Sequence, residues 1–66
     1  MKELTLTAID GLIETHEKNA DYYKNEGRFA ENEEKWAYQE LRNTHNAFVH
    51  DLKRLRKVVE DASRSN

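Results

Sequence analysis

The sequence contains no cysteine and no proline, and it has only two glycines. Without cysteine the chain forms no disulfide, no thiolate zinc site and no cysteine nucleophile. The absence of proline favours long helices, and no alternating run of β-branched residues is long enough to predict a strand. No stretch approaches the roughly 20 consecutive apolar residues of a membrane span, and residues 1–7 lack the apolar core of a signal peptide. We therefore expect an all-α protein of the cytoplasm that has no contact with a membrane.

Charged and apolar residues each make up 36% of the chain, and the net charge is only −2. Because the apolar residues recur at helical spacing, this balance favours an ordered amphipathic protein over a disordered one. One domain of 66 residues buries a small fraction of its surface, so it is marginally stable unless a disulfide, a metal or a partner chain stabilises it. With disulfides excluded, self-association is the common remaining solution.

Apolar residues at steps of three and four predict two helices with a turn between them. From Ile9 to Tyr23 these steps place the apolar residues on one helical face. Gly27 is the predicted point of reversal, because glycine adopts the left-handed conformation that ends helices without steric cost. The predicted bounds are about residues 6–26 for the first helix, 27–28 for the turn, 29–62 for the second helix and 63–66 for a frayed tail. Alternatively, the second helix begins with Asn32 as its cap. The predicted fold is a two-helix antiparallel hairpin with a longer second helix.

The second helix carries a heptad pattern. Its steps alternate between three and four along Tyr38, Leu41, His45, Phe48, Leu52, Leu55, Val59 and Ala62. Ala37, Val49 and Val58 widen the stripe, and a wide stripe is typical of a four-helix bundle. If the chain folds back near residue 28, facing residues have numbers that sum to about 56, so Ala20 faces Trp36.

In that register the second helix extends past the start of the first, and the apolar side chains at its end have no cover within their own chain. Each buried Leu or Val contributes roughly 1.5–3 kcal/mol, so their exposure would forfeit much of the stability. We therefore expect two hairpins to dimerise into a four-helix bundle. A higher oligomer and a monomer that needs a foreign partner are the alternatives. The predicted oligomer interface comprises Phe48, Leu52, Leu55, Val58, Val59 and Ala62.

Charge is divided unequally along the chain: residues 1–40 hold five Lys and Arg against ten Asp and Glu, and residues 41–66 hold six against three. Antiparallel helices would bring the acidic and basic halves together. Alternatively the basic segment binds nucleic acid or an acidic partner, and its candidate contacts are Lys53, Arg54, Arg56 and Lys57. No aromatic residue lies among these cations, and a sequence pI near 5.9 is low for a nucleic-acid-binding domain.

Two of the three histidines, His16 and His45, fall on the apolar faces of the helices. His45 and His50 are five residues apart, so they do not form the i, i+4 pair that binds zinc, and no Glu-x-x-His motif occurs. We expect no metal site. We expect instead that His16 and His45 are partly buried and set the register of the helices, and that their protonation at mildly acidic pH loosens the assembly.

Aromatic residues gather near the predicted turn, where Tyr23 and Trp36 are expected to point inward. Tyr22 and Tyr38 then remain on the surface as candidate anchors for a partner protein. The alternative is that all of these rings close the core at the turn.

No glycine-rich phosphate loop or nucleophile elbow occurs in the sequence, so we expect neither an enzyme nor a cofactor. The predicted function is a small helical protein–protein interaction module, an adaptor or regulator that acts as a homodimer and binds an unidentified protein. A nucleic-acid-binding helical bundle that uses the basic half of the second helix is the alternative, and a structural subunit of a larger helical assembly is a third.

Overall fold

A computed structural model describes residues 2–64, with side chains described as far as residue 62. This part of the chain forms two helices and no strand, α1 at Lys2–Phe29 and α2 at Glu33–Arg64. The helices are antiparallel, because Asp10 contacts Arg56 towards one end and Tyr23 contacts Tyr38 towards the other. The predicted all-α hairpin is confirmed, and α2 with 32 residues is longer than α1 with 28.

The turn lies later in the chain than Gly27. α1 continues through Gly27, and no glycine of the described chain has a positive φ. Asn32 instead has a φ of 57°, the left-handed conformation that asparagine tolerates better than most other residues. α2 begins at the next residue with two glutamates in its first turn, where the helix dipole favours negative charge. The predicted turn at 27–28 and the start of the second helix at residue 29 are therefore wrong, because asparagine and not glycine adopts the left-handed conformation. The alternative start, directly after Asn32, agrees with the structure.

The far end of α2 also differs from the prediction of a frayed tail at residues 63–66. Residues 63 and 64 belong to α2, and residues 65 and 66 lie outside the described part of the chain. α1 is thus longer than predicted at both ends. α2 begins four residues later and ends two residues later than predicted, so it is two residues shorter.

The later turn changes which residues face each other. His16 contacts His45 and Tyr23 contacts Tyr38, so the numbers of facing residues sum to about 61 and not to about 56. Trp36 is 69% exposed, whereas Ala20 is buried. The expected burial of Trp36 over Ala20 is therefore wrong.

The core is a thin layer between the two helices. Ile9 and Ile13 of α1 pack with Val49 of α2, and Leu52 and Val59 are partly buried against them. Because α1 begins at residue 2, it runs alongside nearly all of α2 and covers these last two side chains. The prediction that Val59 has no cover within its own chain is wrong for this reason. None of the described side chains is fully buried.

The hairpin is a rod. Its Cα atoms extend over 53 × 15 × 11 Å with a radius of gyration of 15.3 Å, whereas a compact domain of 66 residues has a radius of gyration of about 11 Å. Its accessible surface is 5402 Å². A folded monomer of 7.8 kDa is expected to expose about 4,400 Å². In the described part of the chain, neither helix has a stretch both long and apolar enough to cross a membrane.

Candidate functional site

Two histidines meet between the helices near the middle of the hairpin. The Nδ1 atoms of His16 and His45 lie 2.8 Å apart, within hydrogen-bond distance, and both side chains are partly buried. One imidazole must carry a hydrogen on Nδ1 and donate it, while the other accepts through an unprotonated Nδ1. The expected partial burial is confirmed. A shift of α1 against α2 by one turn, about 5.4 Å, would separate the rings, so the pair discriminates between registers.

Aromatic rings surround the histidine pair. The His45 ring stacks on Tyr23 with centroids 5.5 Å apart and an interplanar angle of 18°, and the His16 ring lies 4.9 Å from Phe48. One added proton preserves the bond, because the new cation donates from Nδ1 to the neutral partner. A second proton leaves two donors and two positive charges face to face. Within the described residues no group of three or more His, Cys, Asp or Glu is placed to hold a metal ion.

Exposed apolar side chains form a row along one side of the hairpin. Leu41, Phe48 and Leu55 follow one another at seven-residue steps on α2 and are 40%, 46% and 49% exposed. Leu12 on α1 is 49% exposed and lies one turn before His16, which contacts Phe48, so it belongs to the same side. We call Leu12, Leu41, Phe48 and Leu55 the apolar flank.

The remaining predicted interface residues lie in different places. Ala62 continues the seven-residue spacing of the apolar flank and is exposed. Val58 is 62% exposed, but it follows the buried Val49 by nine residues, or two and a half helical turns, and so lies on the outer side of α2. Phe48 and Leu55 are thus the predicted interface residues that belong to the flank itself.

The aromatic residues near the turn differ from prediction in two cases. Tyr22 is 56% exposed and packs edge-on against Tyr23 with centroids 5.2 Å apart. Tyr38 is partly buried with its ring 6.2 Å from Tyr23, because the register places it opposite that residue. Phe29 and Trp36 are 86% and 69% exposed. The largest exposed aromatic surfaces at the turn are therefore Phe29 and Trp36, while the predicted anchor Tyr38 points inward.

The hairpin has no match among known proteins that would assign it a function. No protein-family model, curated protein or solved structure matches this chain. Its function must therefore be inferred from the apolar flank and from the placement of its charges.

Ion pairs connect the acidic half of the chain with the basic cluster of α2. Nε of Arg56 donates to Oδ1 of Asp10 at 2.6 Å, its Nη2 lies 3.3 Å from Oδ2, and its Nη1 pairs with Glu60. Nζ of Lys53 lies 3.9 Å from Oε2 of Glu17. The hydrogen bond from Arg56 lowers the pKa of Asp10, and the same bond raises the pKa of Arg56.

The other two cations of the predicted nucleic-acid contact differ from each other. Lys57 lies 4.0 Å from Asp61, one turn further along α2. Arg54 makes no ion pair among those found in the described residues. Three of the four predicted contacts, Lys53, Arg56 and Lys57, thus have carboxylate neighbours within the chain. Two of them, Lys53 and Arg56, pair with the acidic half as expected, whereas Lys57 pairs within the basic half.

A groove near the turn was not predicted from the sequence. It has a volume of about 300 Å³ and is lined by Tyr23, Lys24, Gly27, Arg28, Lys35, Tyr38, Gln39 and Arg42. Half of these residues are Lys or Arg and none is acidic. The sequence indicates part of this groove. Asp10, Glu17 and Lys24 follow one another at seven-residue steps on the same side of α1, and the charge changes from negative to positive at Lys24. Which residues of α2 lie opposite could not be predicted without the position of the turn.

Proposed function

We propose that this chain is a protein–protein interaction module that assembles as a homodimeric four-helix bundle through its apolar flank. The observation that carries the proposal is the exposed area. The surface of 5402 Å² exceeds that of a folded monomer of this mass by roughly 1,000 Å². A stable complex buries about 800 Å² on each partner, so one interface between two copies accounts for most of the excess.

The heptad pattern of α2 supports a second copy of the chain as the occupant of the flank. The row formed by Tyr38, His45, Leu52 and Val59 is partly buried, whereas the row formed by Leu41, Phe48, Leu55 and Ala62 is exposed throughout. The first row packs on α1 within the hairpin. The second row has the same spacing and lies on the open side. Such a row is complementary to itself around a twofold axis, as in four-helix bundles.

A dimer assembled in this way leaves other apolar side chains exposed for a partner protein. Phe29 and Trp36 lie at the turn, outside the flank, and are 86% and 69% exposed. Aromatic residues of this size, tryptophan above all, are frequent energetic centres of protein interfaces. The dimer would thus present two such aromatic pairs, one from each hairpin.

Sedimentation equilibrium tests the dimer with a pair of matched substitutions. Leu55→Glu places a charge in the apolar flank and is expected to weaken dimerisation by roughly ten-thousandfold, since a symmetric dimer would bury two unpaired carboxylates that each cost several kcal/mol. Leu4→Glu is the control. Leu4 is 72% exposed, and it precedes the buried Ile13 by nine residues, which places it on the outer side of α1.

The expected result is a wild-type mass of twice 7.8 kDa, a monomer for Leu55→Glu and an unchanged dimer for Leu4→Glu. A wild-type chain that is fully helical yet monomeric at about 100 μM, a concentration at which micromolar dimers are assembled, would contradict the proposal. Equal effects of the two substitutions would also contradict it.

A further inference from the structure

The groove at the turn brings like charges together. Lys24 and Arg28 line it from α1, and Lys35 and Arg42 line it from α2. None of these four cations takes part in the ion pairs found among the described residues. Like charges on neighbouring elements destabilise a fold, so the groove carries an electrostatic cost that a bound anion would offset.

The rest of the same side of the hairpin shows the opposite arrangement. Asp10 and Glu17, which precede Lys24 at seven-residue steps, each meet a cation of α2, Arg56 and Lys53. Unlike charges of the two helices therefore face each other along most of this side, and like charges face each other only at the turn. Five acidic residues near the turn do not line the groove: Asp21, Glu26, Glu31, Glu33 and Glu34. They reduce attraction at long range, so an anion would be held by direct contact with the lining.

The chemistry and size of the groove favour a compact ligand with several negative charges. Arginine matches phosphate oxygens with two parallel N–H donors, and lysine adds a point charge. A volume of about 300 Å³ is at the lower end of small-molecule sites, which measure roughly 300–1,000 Å³. From Lys35 to Arg42 the basic lining extends only about 10 Å along α2.

A nucleic-acid strand fits these dimensions poorly. Non-specific sites for single strands span about four nucleotides or more, and the unpaired cations stop where the Glu17 and Asp10 ion pairs begin. We propose that the groove lined by Lys24, Arg28, Lys35 and Arg42 binds a compact polyphosphate anion, either free or as the phosphate chain of a nucleotide.

Calorimetric titration of the full chain tests this site. The probes are inorganic tripolyphosphate, ATP and a short oligo-dT strand, at a constant ionic strength of about 0.15 M so that screening is equal. The groove variant is Arg28→Gln with Arg42→Gln. Its matched control is Arg54→Gln with Lys57→Gln, which removes the same charge from α2 outside the groove.

Tripolyphosphate is expected to bind the wild-type chain with a dissociation constant below about 1 mM. The groove variant should bind it at least about tenfold more weakly, and the control within about twofold of wild type. Equal affinities for tripolyphosphate and ATP would assign the site to the phosphate chain alone. Tighter binding of ATP would show that the nucleoside is also contacted, through Tyr23, Tyr38 or Gln39.

Three results would overturn the proposal. They are the absence of binding at about 5 mM tripolyphosphate, an equal loss of affinity in the groove variant and the control, and binding of oligo-dT more tightly than either polyphosphate. Melting curves verify that the variants fold, and loss of the repelling charges should raise the melting temperature of the groove variant in the absence of ligand. If that variant does not fold, Lys24→Gln with Lys35→Gln replaces it in the same comparison.

Discussion

At the level of single residues, Asn32 carries the conformation that reverses the chain, with a φ of 57° between α1 and α2. Gly27, the residue with the greatest conformational freedom in this region, is helical and lies in the last turn of α1. A Cβ added at Gly27 would lie 3.5 Å from Cβ of Tyr38, which is ordinary van der Waals contact. Gly27 is therefore a weak position of α1 and not a structural requirement of the turn.

Substitutions at these two residues test the position of the turn. Asn32→Ala should lower the free energy of unfolding by about 1–2 kcal/mol, because alanine is strained in the left-handed region, whereas Asn32→Gly should not. Gly27→Ala should raise it by up to about 1 kcal/mol, since alanine is the better helix former and its methyl group fits. Urea unfolding followed by circular dichroism measures all three variants. A loss of stability in Gly27→Ala would move the turn back to residue 27.

The histidine pair predicts a contribution to stability that a single exposed histidine does not share. His16→Leu leaves Nδ1 of the partly buried His45 without its partner at 2.8 Å. This should lower the free energy of unfolding by about 1–3 kcal/mol, because a polar group that loses its hydrogen bond on burial is costly. His16→Leu with His45→Leu removes both polar groups and should lower it less. His50→Gln, at a side chain 74% exposed, is the control, and equal losses of stability in all three variants, measured by urea unfolding, would contradict the argument.

At the level of the helices, α1 and α2 are held in register by contacts of different kinds. The apolar contacts of Ile9 and Ile13 with Val49 have little directional preference, since apolar burial depends on area. The His16–His45 bond and the two-point contact of Arg56 with Asp10 are specific for one alignment. Polar contacts thus select the alignment, while apolar contacts supply most of the attraction.

The Asp10–Arg56 contact predicts how this alignment responds to acid. The pKa of Asp10 is lowered from its ordinary value of 3.8, so its contribution to stability is present above that value and is lost as the pH falls through the lowered pKa. Asp10→Asn should therefore lower the melting temperature at pH 7, and the difference from wild type should disappear in strong acid. Asp21→Asn is the control, because it removes the same charge from α1 at a residue that makes none of the ion pairs found among the described residues. A difference that persists at the lowest pH would exclude the ion pair as its cause.

At the level of the whole molecule, two helices alone make an incomplete fold. Their shared core contains few buried side chains, and the side chains of the apolar flank remain 40–49% exposed. The proposed dimer has a consequence at this scale beyond the Leu55→Glu comparison. Because only the associated chain would bury the flank, the melting temperature should rise with protein concentration in wild type and Leu4→Glu. It should be independent of concentration in Leu55→Glu.

Composition and periodicity suffice to predict the helical class, the two helices and the heptad rows of α2, because these depend on local propensity and on regular spacing. The same spacing also places His16 and His45 on the apolar faces of the two helices. Both Gly27 and Asn32 can adopt a left-handed conformation, so local chemistry does not choose between them. The choice depends on contacts between residues far apart in the chain.

Packing between α1 and α2 makes that choice. The pairing of His16 with His45 and of Tyr23 with Tyr38 requires the turn at residues 30–32, and this shift changes every facing pair along the hairpin. It covers Val59, buries part of Tyr38, exposes Trp36 and gathers the four cations of the groove. The helices themselves can thus be predicted from local sequence. The surfaces that they form depend on the register, which contacts between distant residues set.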